Sequence, residues 1–264
     1  MKSLKKVKVA IIGGTGLDVL LSATEQIRIG TPHGIPPPIS VGSVEGKPVV
    51  FLLRHGVHHS LPPHKINYRA NIYALFELGI ERIIAINAVG AIDVNLKPGD
   101  LLIPHDFIDF TKLRQPTFYD ETPVTHIDVS QPYCPEIRAL LIKSAKKYAK
   151  RVRDRAVLVC TEGPRYETPA EIEMFRRLGG DIVGMTGVPE AVLARELEIC
   201  YSNLCFVSNM AAGIQKRLTA REVVKVAEEK MTVIKKALRE TIQNLPENRN
   251  CPCAHALEDA RFKG

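Results

Sequence analysis

The sequence has no tryptophan, only 6% aromatic residues, and no apolar run near the roughly 18 residues that cross a bilayer. A membrane-spanning helix is therefore excluded. Zinc-finger spacing, basic-aromatic interleaving and RNP-like strings are also missing, so the formal net charge of +7 points to small anionic metabolites rather than nucleic acid. The basic start MKSLKKVKV imitates a signal peptide, but the apolar stretch at residues 7–12 is too short and is broken by Lys8. That stretch reads as a first strand of a soluble, cytoplasmic protein. The six cysteines (Cys134, Cys160, Cys200, Cys205, Cys251 and Cys253) include no Cys-x-x-Cys pair, so a zinc site would need four convergent ligands. An ordinary cytosol would keep them as free thiols; Cys251-Pro252-Cys253 leaves disulfides open, since intracellular bridges do occur in hyperthermophiles.

What is present is an alternation of element signals. Short, β-branched apolar runs at residues 7–12, 49–53, 83–86, 101–103, 156–160 and 204–207 end in Gly, Pro or polar residues and read as buried strands. Helical stripes lie between them: Tyr68, Ile72, Leu75 and Phe76, then Ile137, Leu140, Leu141 and Ala145. Thr168-Pro169-Ala170-Glu171 is a capping box with proline at the first helical position, and Thr219 to Glu222 repeats the box. The second box opens a long helix striped by Val223, Val224, Ala227, Met231, Ile234, Ala237, Leu238 and Ile242. Alternating strands and helices predict one α/β domain with a largely parallel sheet over residues 1–247. Residues 112–133, with three prolines and no period, form a long loop, and 248–264 is a polar tail that is mobile unless its cysteines tie it down.

Chemistry gathers at the strand ends. Gly13-Gly14-Thr15-Gly16 after the first strand offers amides and a hydroxyl to a phosphate, but without G-x-G-x-x-G spacing or the lysine of a P-loop. Arg54-His55-Gly56 ends the second strand, and two chemistries would use it. In histidine phosphatases such a histidine attacks a phosphoryl group; in the alternative the arginine only clamps a phosphate. His55, His58, His59 and His64 have no acidic cluster to complete a metal site and read as loop histidines.

Three further strings complete the pattern: Asn87-Ala88-Val89-Gly90-Ala91, Glu162-Gly163-Pro164-Arg165-Tyr166-Glu167-Thr168 and Gly184-Met185-Thr186-Gly187-Val188-Pro189-Glu190-Ala191. With Gly-Gly-Thr-Gly and Arg-His-Gly, they resemble the trimer-forming purine nucleoside phosphorylase and methylthioadenosine phosphorylase family, in unbroken order over residues 7–245. The resemblance implies a three-layer α/β/α fold around a mixed, partly barrelled sheet. It also implies phosphorolysis, with inorganic phosphate as co-substrate and no cofactor. Thr15, Arg54, His55, Ala88 and Thr186 match the family's phosphate pocket, and Met185 the residue under the ribose. Tyr166 matches an aromatic flanking the base. His126 matches a residue lent across a subunit interface, which implies a homo-oligomer, a trimer or a dimer of trimers. Arg54 is then a clamp, and phosphate itself attacks the anomeric carbon.

Two positions depart from the methylthioadenosine branch, which has Ser after the aromatic and an Asp-x-Asp pair. Here stand Glu167 and Asn209-Met210-Ala211, the pair found in phosphorylases of inosine, guanosine and methylthioinosine. A 6-oxopurine offers an N1–H donor to a carboxylate, whereas adenine offers a lone pair there. Glu167 and Asn209 are accordingly assigned to base recognition and leaving-group activation, with methylthioadenosine phosphorylase the rival reading. Ala220 and Val223 align with the pocket for the 5′ group, where an apolar lining favours methylthio over hydroxyl. Hyperthermophilic relatives carry a similar Cys-x-Cys tail, which implies disulfides among Cys134, Cys200, Cys205, Cys251 and Cys253.

Overall fold

The computed structural model describes residues 7–14, 20 and 22–262. The sheet has eleven strands, ordered β2(Ser22–Ile27), β3(Ile39–Val44), β4(Lys47–Leu53), β1(Val9–Gly13), β5(Arg82–Ala91), β10(Ile182–Gly184), β9(Val157–Thr161), β7(Asp106–Phe110). Off that path, β11(Cys200–Met210) pairs with β5 and with β6(Leu101–Leu102), which also pairs β8(Val152–Arg153). β5 is therefore a branch point with three neighbours: β1 and β11 parallel to it, β10 antiparallel. The expectation of a largely parallel sheet gives way to a mixed one. Strands β2, β3, β7, β8 and β10 escaped the sequence reading because they are short, or polar on one face, as in SATEQI and DFIDF.

Alternation along the central strands builds three layers. Ile11, Val49, Phe51, Ile84 and Ile86 face one side with α2(Pro135–Tyr148) and α5(Ala220–Asn244), while Ala10, Ile12, Val50, Leu52, Ile83 and Ala85 face the other with α1(Tyr68–Glu77) and α4(Gly187–Glu196). The first capping box is complete at the head of α3(Pro169–Arg177), where Thr168 Oγ1 accepts from Glu171 N at 3.1 Å and Glu171 Oε2 from Thr168 N at 2.7 Å. The second is half formed: Thr219 Oγ1 accepts from Glu222 N at 3.3 Å, but the Glu222 carboxylate accepts from the Thr219 hydroxyl and from Gln215 rather than from Thr219 N. The stripe on α5 is buried only in its second half, from Ile234 to Ile242; Val224 is 55% exposed, because α2 and the sheet meet the later turns. Phe76 likewise leaves its stripe and is exposed, packing on Tyr73.

The loop at 112–133 has no helix or strand, yet it is anchored: Thr117 Oγ1 and Phe118 N donate to the two oxygens of Glu196 at 2.6 and 2.7 Å. The tail is also docked. Cys251 and Cys253 are buried against the α2–α5 layer, and backbone bonds from His126 N to Ala260 O (2.8 Å) and from Phe262 N to Val124 O (3.1 Å) pair it with the loop. All six cysteines are buried free thiols in this structure.

Candidate active site

The chain leaves β4 at Arg54, whose backbone N–H donates to Gly13 O at 3.1 Å and ties the ends of β1 and β4 together. Parallel strands β1, β4, β5 and β11 thus present their carboxyl ends to one crevice, the usual place for a ligand in such sheets. Along β5 every residue is buried except Ala88, which opens to that crevice. β10 runs antiparallel to β5 in the register Ile182↔Ala91 and Val183↔Gly90, so the chain beyond it travels back along β5. This sets Thr186 on Asn87: Asn87 Nδ2 donates to Thr186 Oγ1 at 2.6 Å and leaves the Thr186 hydroxyl hydrogen for a ligand.

The Arg54 guanidinium, 2% exposed, is held on three sides. Nε and Nη2 donate to the two carboxylate oxygens of Glu190 (Nη2 to Oε2, 2.9 Å), Nη1 donates to Ile86 O at 3.1 Å, and Nη2 reaches Asn87 Oδ1 at 3.4 Å. One Nη1 hydrogen remains for an anion. Burial opposes the charge, but the attraction of Glu190 outweighs it and holds Arg54 above the usual guanidinium range. Glu190 is fully buried and also accepts from Tyr201 OH at 2.7 Å. No role was foreseen for Glu190, although it is the lone carboxylate inside the apolar run Val188-Pro189-Glu190-Ala191-Val192-Leu193-Ala194. A charge on a buried helix needs a partner, and that was the available signal.

His55 Nδ1 donates to Leu61 O at 2.9 Å, which fixes the neutral tautomer with Nε2 as acceptor. Its ring stacks on His59 with centroids 4.2 Å apart. Burial, reinforced by the Arg54 charge, pushes its pKa down to about 4. His58 and His59 sit in a short 3₁₀ turn, and His64 in another. Thr15 lies outside the described residues.

The purine-side candidates come from the other half of the branch. Glu167, 9% exposed, accepts at Oε1 from Thr161 Oγ1 at 2.6 Å, at the end of β9, and Oε2 is left for a ligand. Asn209, the penultimate residue of β11, lies opposite Gly90; its Oδ1 accepts from Ser208 Oγ at 2.7 Å and its Nδ2 donates to Met210 O at 2.9 Å, leaving one N–H and one lone pair. Tyr166 is 39% exposed, and burial together with the charges of Glu167 and Glu222 raises its pKa. Glu222 belongs to the first turn of α5, with exposed Ala220 and half-buried Val223. Gln215, also unforeseen, joins the pieces: its Oε1 accepts from Met210 N at 3.1 Å and its Nε2 donates to Glu222 at 3.0 Å.

Met185 lies between the two halves. Its carbonyl accepts from Arg114 Nη2 at 3.1 Å, and a cavity of about 250 Å³ lined by Arg114, Tyr68 and His64 opens beside it. Gly163 has φ +65°, and a Cβ there would stand 2.6 Å from Met185 Sδ. His126 makes its contacts elsewhere: it is exposed, with its ring 5.2 Å from that of Phe262.

Residues 8–243 match the Phosphorylase superfamily. The chain belongs to that family. It is 47% identical to the "Probable S-methyl-5'-thioinosine phosphorylase" of Thermodesulfovibrio yellowstonii over 99% of its own length and 100% of that protein. It is 50% identical to the "Probable 6-oxopurine nucleoside phosphorylase" of Korarchaeum cryptofilum, covering 96% and 98% of the two chains. Among solved structures, a methylthioadenosine phosphorylase sourced from an antarctic soil metagenomic library superposes with a TM-score of 0.92 at 34% identity, covering 98% of this chain and 93% of that one. Membership of a phosphorylase family leaves the covalent phosphohistidine reading of Arg54-His55-Gly56 without support.

Proposed function

We propose that this phosphorylase cleaves the N-glycosidic bond of 6-oxopurine nucleosides with inorganic phosphate, releasing free base and ribose 1-phosphate or its 5-methylthio counterpart. The observation that carries the base assignment is the buried Glu167 carboxylate, held at one oxygen by Thr161 and free at the other. An N1–H donor completes it, whereas adenine would set a lone pair against it at a cost of about 1–3 kcal/mol. The relatives named for methylthioinosine and for 6-oxopurine nucleosides support this reading.

Phosphate sits among the Arg54 Nη1 hydrogen, the Thr186 hydroxyl, His55 and the exposed strand position at Ala88; the family resemblance assigns Thr15 to phosphate as well. Because Glu190 already balances Arg54, the grip on phosphate is one of directed hydrogen bonds more than net charge. A phosphate oxygen bonds the anomeric carbon as the bond to N9 breaks, with Met185 under the sugar. The base leaves protonated at N7, the proton coming from solvent and being balanced by the one that hydrogen phosphate loses on becoming the sugar phosphate; the remaining Asn209 lone pair accepts the hydrogen bond from N7–H, and the remaining N–H donates to O6. Tyr166 flanks the ring, and Ala220 and Val223 line an apolar pocket suited to a 5′-methylthio group. No cofactor enters this reaction. The working unit is a cytoplasmic homo-oligomer, a trimer or a dimer of trimers, in which exposed His126 reaches a neighbour's nucleoside.

The test is to incubate inosine, guanosine, methylthioinosine and methylthioadenosine with and without phosphate and to measure free base. Phosphate-dependent release of hypoxanthine or guanine is expected. Faster release of adenine would establish the methylthioadenosine reading, which the superposed structure's name favours. Release without phosphate would overturn phosphorolysis.

A further inference from the structure

Far from the nucleoside crevice, the fold supplies the four convergent ligands that the cysteine spacing alone does not. Cys134 is the N-cap of α2, Cys200 opens β11, and Cys251 and Cys253 flank Pro252 in the tail. Their Sγ atoms all lie within 4.8 Å of one another, all four residues are buried, and the sulfurs of Cys200 and Cys251 are 3.3 Å apart. A tetrahedron with zinc–sulfur bonds of about 2.3 Å has sulfur–sulfur edges of about 3.8 Å, so the four need only small shifts to surround an ion. Cys160, buried in β9, and Cys205, buried farther along β11, do not join them.

The surroundings suit a soft cation. Apolar side chains of the α2–α5 layer, such as Ile137, Leu141 and Leu245, wall the cluster and keep out water. Four thiolates around a dication leave two negative charges, which the amino end of α2 and the Arg195 guanidinium, acting on Cys253, help to balance. Oxygen-preferring ions such as magnesium have no partner here. We propose that Cys134, Cys200, Cys251 and Cys253 form a tetrathiolate site for zinc that clamps the C-terminal tail to the body. The step involves no redox change: four S–H bonds are lost, four zinc–sulfur bonds form, and four protons leave to solvent. Because four protons leave as the ion binds, affinity rises with pH. The clamp reaches further than the tail, because residues 260–262 pair with residues 124–126 and so steady the loop that bears His126.

The test uses the full chain purified anaerobically in reductant. Metal analysis should find one zinc per chain, and cobalt titrated into metal-stripped protein should give the absorption of a tetrahedral tetrathiolate. Zinc should raise the melting temperature of the reduced chain, and magnesium should not. The Cys251→Ser/Cys253→Ser variant should lose both zinc and the rise, while Cys205→Ala keeps them. Should the double variant fail to fold, the cobalt titration of the unsubstituted chain decides. A folded, reduced chain with six reactive thiols that takes up neither metal overturns the proposal. So does a mass lighter by the hydrogens of two disulfides that persists in reductant.

Discussion

Glu190→Gln removes the counter-ion of Arg54 while keeping its shape. Both partners are buried, at 2% and 0% exposure, and the carboxylate accepts from Arg54 Nε, Arg54 Nη2 and Tyr201 OH. Removing one partner of a buried pair costs about 3–5 kcal/mol, since a bare charge is left in a low dielectric. The glutamine keeps one acceptor but turns an N–H toward the guanidinium, so the lower end, about 3 kcal/mol, is expected. For a chain of this size that corresponds to a fall in melting temperature of about 6–12 °C. Phosphate should partly reverse it, because an anion at the remaining Nη1 hydrogen now supplies the missing negative charge. The assay is thermal unfolding of wild type and variant across a phosphate titration, with Tyr201→Phe as a control that loses a hydrogen bond but no charge. The variant should gain more from phosphate than the wild type, and Tyr201→Phe should gain the same as the wild type. A variant melting within about 2 °C of wild type, or one stabilised no more by phosphate, would refute the assignment of Glu190 as the balancing charge.

Glu167→Gln keeps an acceptor for Thr161 but presents an amide N–H to the base; kcat/KM for inosine should fall by about 5- to 150-fold, with methylthioadenosine spared or improved, and an equal loss on both would count against base recognition. His55 has its pKa lowered from 6.5 to about 4, so the folded state binds its proton less readily than the unfolded chain. Its contribution to stability is complete above pH 6.5 and is lost as pH falls toward 4, by about 1–2 kcal/mol after discounting for its partial exposure. Denaturant titrations of wild type and His55→Gln should therefore converge as the pH drops through that window, and parallel curves would reject the lowered pKa. Gly163→Ala forces a side chain at φ +65° against Met185 Sδ, so it should lower stability by about 1–2 kcal/mol and raise KM for nucleoside more than for phosphate, as steady-state kinetics would show.

Much of this was legible in the letters because short apolar runs ending in Gly or polar residues mark strand ends, and strand ends are where ligands bind. Arg54, Thr186 and Asn209 stand at or just beyond strand ends, Asn87-Ala88 end the apolar run inside β5, and Glu167 precedes the helix start at Thr168; that helix and the one after Thr219 begin where the spacing predicts them. Glu190 stayed hidden for a physical reason. A glutamate in the first turn of a helix is already favoured by the dipole, so nothing local says that its carboxylate is spent on an arginine 136 residues away. The four-sulfur cluster was hidden by the same distance in sequence, since pairings such as Cys200 with Cys251 exist only once β11 and the tail are in place; Gln215 bonds only to near neighbours, Met210 and Glu222, and carried no motif of its own. Of the two states the sequence left open for the tail, the docked one is found, with Cys251 and Cys253 buried by layers that no local pattern reveals.

The branch at β5 explains why strings so far apart in sequence meet in one crevice. A purely parallel sheet would bring to the end of β5 only chain that leaves other strands in the same direction, as Arg54 does from β4 and Asn209 does from β11. The antiparallel pairing with β10 reverses the traffic, so that the segment after Gly184 returns along β5 and places Thr186 on Asn87. β9, parallel to β10, then brings Thr161 and Glu167 to the same side. The Arg54–Asn87–Thr186 group and the Glu167–Asn209 group thereby come to one crevice with Met185 between them, which is what the proposed phosphorolysis asks of them. Converting β10 to a parallel neighbour would leave every residue present and still separate Thr186 from Asn87. Mixed strand direction at β5, more than any single side chain, is what gathers the residues on which the proposed reaction rests.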